Sequence, residues 1–131
     1  MGVAALVTWL VTAVGGFVML GSWVAKGGHR PGGGSRLAPG LVFGHFALAV
    51  VGLVLWIAYL AVHSTTLAWI AFVVLLPVAL LGFTMFARWL PGVRQRTGTP
   101  EARFPVPVVV GHGLFAATTL VLVLLTALGV G

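Results

Sequence analysis

The sequence predicts an all-α integral membrane protein, in which four transmembrane helices form an up-down-up-down bundle built from two duplicated helical hairpins. Three observations support this fold class. Hydrophobic residues make up 60% of the 131-residue chain, and charged residues make up 6%. Four apolar stretches are long enough to cross a hydrocarbon core, which needs about 20 helical residues. The same residue pattern also occurs twice along the chain.

The apolar stretches define the predicted spans, and they leave no residues for a separate soluble domain. They cover residues 3–25, 40–62, 66–90 and 106–129. The chain is therefore predicted to form a single transmembrane domain, with repeat 1 at 1–62 and repeat 2 at 66–131. We expect residues 63–66 to turn the chain between the repeats. Pro77 lies near the middle of the third span, and the loss of its backbone donor predicts a local kink there.

The duplicated pattern organises the chain. Residues 16–23 read GFVMLGSW, and residues 82–89 read GFTMFARW. Each copy continues through a basic loop into a matched segment, RLAPGLVFGH at 36–45 and RFPVPVVVGH at 103–112. Each predicted hairpin thus carries an arginine nine residues before a histidine.

The charge distribution predicts the orientation of the chain in the membrane. All seven basic residues lie in or beside the first and third connections, and the formal net charge is +6. The positive-inside rule therefore predicts a multi-pass protein of the cell inner membrane with loops 26–39 and 91–105 in the cytoplasm and both termini outside. The basic residues are not interleaved with exposed aromatic residues, so the charge predicts contact with a lipid bilayer and no binding of nucleic acid.

Two histidines are the main candidates for chemistry. His45 and His112 lie at nearly the same depth in spans 2 and 4, which are parallel and diagonal in such a bundle. Two imidazoles that meet across this diagonal can hold an iron atom between them, so the spacing predicts a bis-histidine haem b. With no cysteine in the chain, disulfides, iron–sulfur clusters and thiolate metal sites are excluded.

Further matched residues would complete this site. We expect Arg36 and Arg103, at the membrane surface, to pair with the haem propionates. Gly44 and Gly111 would let a flat macrocycle approach the backbone, and Met19 and Met85 would pack against it. Each histidine needs its other ring nitrogen held, and the carbonyls one turn back, at Leu41 and Val108, are the expected partners.

The methionines leave the ligand set open. His/Met ligation of haem and a Met/His copper(I) site are alternatives, because thioethers suit both. The remaining histidines, His29 and His63, are expected to be solvated or interfacial. Trp56, Tyr59 and Trp69 are expected to form the outer aromatic belt, and Trp23 the belt at the opposite surface. The glycine-rich first loop is expected to be a flexible connector.

In helix count and histidine placement the chain resembles the four-helix membrane cytochromes b, in which histidines from facing helices hold haem. The resemblance implies electron transfer, with a quinone or a membrane redox partner. Those proteins often carry two histidines on each ligating helix. This chain has one well-placed histidine in each of spans 2 and 4, which predicts a single haem.

Other classes of function remain open from the sequence alone. The chain is alternatively a noncatalytic accessory or scaffold subunit, with Gly/Ala stripes that dock a larger membrane complex or a second copy of itself as a homo-oligomer. A proton or small-solute pathway through the histidines ranks last, because no carboxylate lies inside the membrane to relay a proton.

Overall fold

The computed structural model describes residues 1–130 and consists of four long helices and one short 3-10 helix. The long helices are α1 (Gly2–Ala25), α2 (Pro39–Val62), α3 (Thr65–Arg94) and α4 (Val106–Ala127), and the 3-10 helix spans Glu101–Arg103. Each long helix is apolar and long enough to span a membrane. The predicted all-α membrane fold is therefore confirmed. Gly131, the last residue of the predicted repeat 2, lies outside the described residues.

The ends of the helices differ from the predicted spans by at most four residues. α3 continues to Arg94, four residues beyond its predicted end, and runs without a break through Pro77. α4 ends at Ala127 rather than 129. The turn between the repeats has two residues instead of four, because His63 adopts the left-handed conformation (φ 54°) and reverses the chain at once.

Packing between the repeats is more extensive than packing within repeat 1. α1 packs mainly on α4, and α2 packs mainly on α3. α3 also contacts α4, whereas α1 makes its smallest helix contact with α2. The helices therefore form a closed cycle, α1–α4–α3–α2, in which the first helix of each repeat lies against the second helix of the other. Among the described residues, α2 and α4 are diagonal and have no Cα atoms within 8 Å of each other.

The two ends of the bundle differ in charge and in packing. We call the end with the connections 26–38 and 95–105 the basic end, and the end with both termini and the His63–Ser64 turn the neutral end. The hydrophobic core lies in the neutral half, around Trp9, Trp56 and Val123. Large apolar side chains that the bundle leaves exposed, such as Val73 and Leu80, face outward as expected for contact with lipid.

Two of the tryptophans assigned to the aromatic belts are buried instead. Trp56 is 0% exposed, and its indole N–H donates to the Gly2 carbonyl at 3.1 Å. Trp23 is 1% exposed and donates to the Ser35 hydroxyl at 2.9 Å. Both belt predictions are wrong because an indole with a protein acceptor within reach can be buried without losing a hydrogen bond. Trp69 is exposed.

The first loop is fixed to the second by the only acidic side chain of the chain. Glu101 is fully buried and accepts hydrogen bonds from the Ser35 hydroxyl at 2.8 Å and the Arg36 backbone N–H at 2.7 Å. Gly28 lies directly over the Trp23 indole, where an added Cβ would collide with the ring. The prediction of a flexible first connector is therefore wrong, since its glycines permit close packing.

Replacement of Glu101 by alanine should destabilise the bundle at its basic end. The change removes the acceptor of two partly buried donors, the Ser35 hydroxyl and the Arg36 backbone N–H, which should lower the free energy of unfolding by about 1–3 kcal/mol. Thermal unfolding in detergent measures the effect. Gln95→Ala, an exposed position at the same end, is the matched control and should melt like the wild type. Equal melting temperatures for all three proteins would contradict this assignment.

Candidate functional site

The two histidines meet across the diagonal of the bundle. The ring centroids of His45 on α2 and His112 on α4 are 6.3 Å apart, with 60° between the ring planes. Both rings are partly buried, and each lies within the first two turns of its helix from the basic end. α2 and α4 are not in backbone contact, so the side chains alone bridge the gap between these helices.

Each histidine is held by a helix of the other repeat. The Nδ1 of His45 lies 2.9 Å from the Val78 carbonyl on α3, and the Nδ1 of His112 lies 2.8 Å from the Thr12 carbonyl on α1. Thr12 and Val78 are equivalent positions in the repeats. The expected carbonyl partners, Leu41 and Val108, are wrong, because each ring projects across to the neighbouring helix instead of folding back along its own.

These hydrogen bonds fix the protonation of the rings. A carbonyl oxygen only accepts, so Nδ1 must carry the proton in both His45 and His112. In the neutral imidazole the lone pair then lies on Nε2. Two unprotonated Nε2 atoms are thus available as ligands, each on a ring whose orientation is set by its other nitrogen. Histidines that bind metals commonly have their other ring nitrogen held by a carbonyl in this way.

Equivalent glycines allow the close packing of both rings. A Cβ added to Gly82 would lie 3.4 Å from Cε1 of His45, and one added to Gly16 would lie 3.3 Å from Cε1 of His112. A larger side chain at either position would push the ring away from its carbonyl partner. The repeated Gly-Phe pair at 16–17 and 82–83 was the sequence signal for this contact, but the helix that each glycine faces could not be read from it.

A largely apolar cavity of about 600 Å³ surrounds the histidine pair. All four helices line it, and it extends from Trp23 and Trp89 near the basic end to Trp9 and Thr119 deeper in the bundle. Its lining contains both histidines among side chains that are otherwise almost entirely apolar. A ligand that fits this cavity is therefore hydrophobic over most of its surface and presents something for imidazole nitrogens to bind.

The other predicted site residues divide into two groups. Met19 and Met85 line the cavity together with the histidines. Gly44, Gly111, Arg36 and Arg103 do not line it. The two arginines are exposed at the basic end, and the residue after each of them, Leu37 or Phe104, does contribute to the cavity wall.

The remaining histidines lie apart from the pair. His63 is exposed in the turn at the neutral end. His29 was expected to be solvated or interfacial; its Nδ1 is buried without a hydrogen-bond partner in residues 1–130, and its ring lies 6.3 Å from that of Trp23. Within residues 1–130, no group of three or more His, Cys, Asp or Glu side chains is placed to hold a metal ion. A metal at the pair would therefore need ligands beyond the protein's imidazoles.

Comparison with known proteins assigns no family to the chain. No protein-family model, no curated protein and no solved structure matches the chain.

Proposed function

We propose that the protein binds one haem b between His45 and His112 and takes part in electron transfer within the membrane. The distance between the two imidazole rings carries the proposal. An iron–nitrogen bond of about 2 Å on each side, with about 1.1 Å from each nitrogen to its ring centre, corresponds to ring centres about 6.2 Å apart when both Nε2 atoms point at the iron. The observed separation is 6.3 Å.

The two imidazoles are a suitable pair of protein ligands for haem iron. Haem iron already has four equatorial nitrogens, so two imidazoles complete its coordination without any further protein ligand. The Nδ1 protons of both rings are bound by the Thr12 and Val78 carbonyls, which leaves each Nε2 for the metal. The absence of a larger cluster of protein ligands among the described residues is therefore compatible with haem.

The cavity fits a flat apolar ring. Its volume is about 600 Å³, and its lining includes the equivalent pairs Gly16/Gly82, Phe17/Phe83 and Met19/Met85. The methionines would pack against the ring as flexible apolar side chains. Arg36 and Arg103, one from each repeat, lie at the basic end and would offer cations to the two propionates.

The chemistry that haem supplies when both axial positions are filled is electron transfer rather than activation of oxygen. The chain's own residues keep both imidazoles in place and exclude water from the apolar cavity. A membrane-soluble quinone or a membrane redox protein is the class of partner that this function requires.

A Met/His copper(I) site is the second candidate. Met19 and Met85 line the same cavity as the two histidines, and thioethers favour copper(I). Haem ranks first because the two imidazoles have the separation of axial ligands and the cavity is far larger than a single ion needs. Elemental analysis distinguishes the two metals directly.

Histidine substitutions test the proposed ligands. The purified protein from haem-replete cells should show a Soret band that shifts on reduction with dithionite. His45→Ala and His112→Ala should each abolish this band or convert it to that of a five-coordinate haem. The matched controls His29→Ala and His63→Ala, outside the pair, should keep the wild-type spectrum. A colourless wild-type protein that contains no iron would contradict haem binding, and stoichiometric copper in its place would support the second candidate.

Glycine substitutions test the support of the rings. Gly16→Val and Gly82→Val should displace the adjacent imidazole from its carbonyl and weaken haem binding about tenfold, which corresponds to about 1.4 kcal/mol, so that haem occupancy falls. Gly21→Val is the control, since an added Cβ there meets open space. Iron per protein and the amplitude of the Soret band provide the measurement. Equal occupancy in all three variants would exclude a role for this contact.

We further propose that the basic end faces the cytoplasm of a cell inner membrane, in accord with the positive-inside rule. The chain has no cysteine, so single cysteines can report its orientation. In intact cells a membrane-impermeant maleimide should label Thr65→Cys at the neutral end, and it should label Gln95→Cys only after the membrane is opened. The reverse pattern would show the opposite orientation.

A further inference from the structure

Trp23 and Trp89 occupy equivalent positions in the two repeats, but only one of them has a hydrogen-bond partner. Trp23 donates its indole N–H to the Ser35 hydroxyl, which is itself held by Glu101. Trp89 is 4% exposed, and its Nε1 is buried with no hydrogen-bond partner among the described residues. The two repeats therefore differ in whether this indole N–H is paired within the protein.

The difference follows from the sequence of the two loops. The arginines Arg36 and Arg103 are equivalent, so the residue that corresponds to Ser35 is Ala102. Alanine has no side-chain acceptor. A buried N–H without a partner costs about 1–3 kcal/mol, and native proteins rarely leave one unpaired. The missing acceptor is accordingly expected to come from outside the chain.

The position of Trp89 indicates the kind of acceptor. Its indole contributes to the wall of the large cavity near the basic end, next to Phe86 at a centroid distance of 5.5 Å. The wall around it is apolar, while the cationic side chains at this end of the bundle, including that of the adjacent Arg88, are exposed. A ligand in this cavity that points its polar edge toward the basic end would bring oxygen atoms to Trp89.

We propose that the Trp89 indole N–H donates a hydrogen bond to a carboxylate of the bound ligand, namely one propionate of the haem. This inference rests on the proposed function. Because Trp23 is already satisfied within the protein, only the side of the cavity at Trp89 offers such a donor. The donor therefore distinguishes the two ways in which an asymmetric haem can enter a nearly symmetric cavity, and Trp89 is a positioning residue that selects one of them.

Matched phenylalanine substitutions test the proposal. Trp89→Phe and Trp23→Phe remove the same indole volume, so a comparison of the two isolates the hydrogen bond. In the haem-free protein, Trp23→Phe should melt several degrees below Trp89→Phe, because only the first change removes an existing hydrogen bond, the one from the Trp23 indole to the Ser35 hydroxyl. In haem titrations, Trp89→Phe should bind haem about ten- to hundredfold more weakly than Trp23→Phe, which changes the opposite wall of the cavity by the same volume.

Haem dimethyl ester, in which both propionates are esterified, identifies the acceptor. With this probe the loss caused by Trp89→Phe should shrink to less than threefold, since the charged acceptor is absent from the wild-type complex as well. Equal haem affinity of the two phenylalanine variants would overturn the inference and leave the proposed function standing. A penalty of the same size with haem and with its dimethyl ester would also overturn it. Failure of the wild-type protein to bind haem would instead overturn the proposed function, on which this inference depends.

Discussion

The bond from each imidazole to a carbonyl of the opposite repeat is the interaction on which the arrangement of the site depends. His45 is bound to Val78 and His112 to Thr12, so each ring joins two helices that come from different hairpins. The same pairs of helices, α2 with α3 and α1 with α4, make the most extensive packing contacts in the bundle. The hydrogen bonds and the packing therefore reinforce each other, and both rings are directed toward the space between the diagonal helices.

The two halves of the bundle differ in how tightly they are packed. Aromatic and small side chains, including Trp9, Trp56 and Ala71, fill the neutral half and leave little space there. In the basic half the helices instead enclose the cavity around the histidines. The packed half stabilises the fold. This stability offsets the packing free energy that is lost where the cavity lies. The hydrogen bonds of Glu101 to Ser35 and Arg36 join the two loops at the end of the bundle that contains the cavity.

Much of the fold follows from the sequence, because hydrophobic length and a visible duplication determine the number, order and direction of the helices. The facing of His45 toward His112 was also predictable, since equivalent residues of parallel helices share a depth. The carbonyl partners were not, because the sequence pattern does not determine how far each helix is rotated about its axis. For the same reason Trp23 and Trp56 were assigned to the membrane surface, although both are buried.

The loops were the least predictable part of the protein. A glycine-rich segment reads as flexible by composition, but its order here comes from one distant residue, Glu101, which lies 66 positions from Ser35. Contacts of this kind depend on tertiary structure and leave no local periodicity. The single carboxylate in a basic chain was the available signal, since a lone acidic residue among cations would be expected to have a specific partner.

The uneven packing around the helix cycle indicates the side from which a large flat group would reach the centre of the bundle. α1 and α2 make the smallest helix contact in the cycle, and they are joined by the longer of the two basic loops. Helices satisfy their own backbone hydrogen bonds, so α1 and α2 can separate at the basic end, away from the Trp56–Gly2 hydrogen bond at the neutral end, without exposing unpaired backbone groups. The seam between α1 and α2 is thus the side of the bundle where the least packing would be lost if a ligand entered, and it borders the bilayer, where hydrophobic molecules are already dissolved.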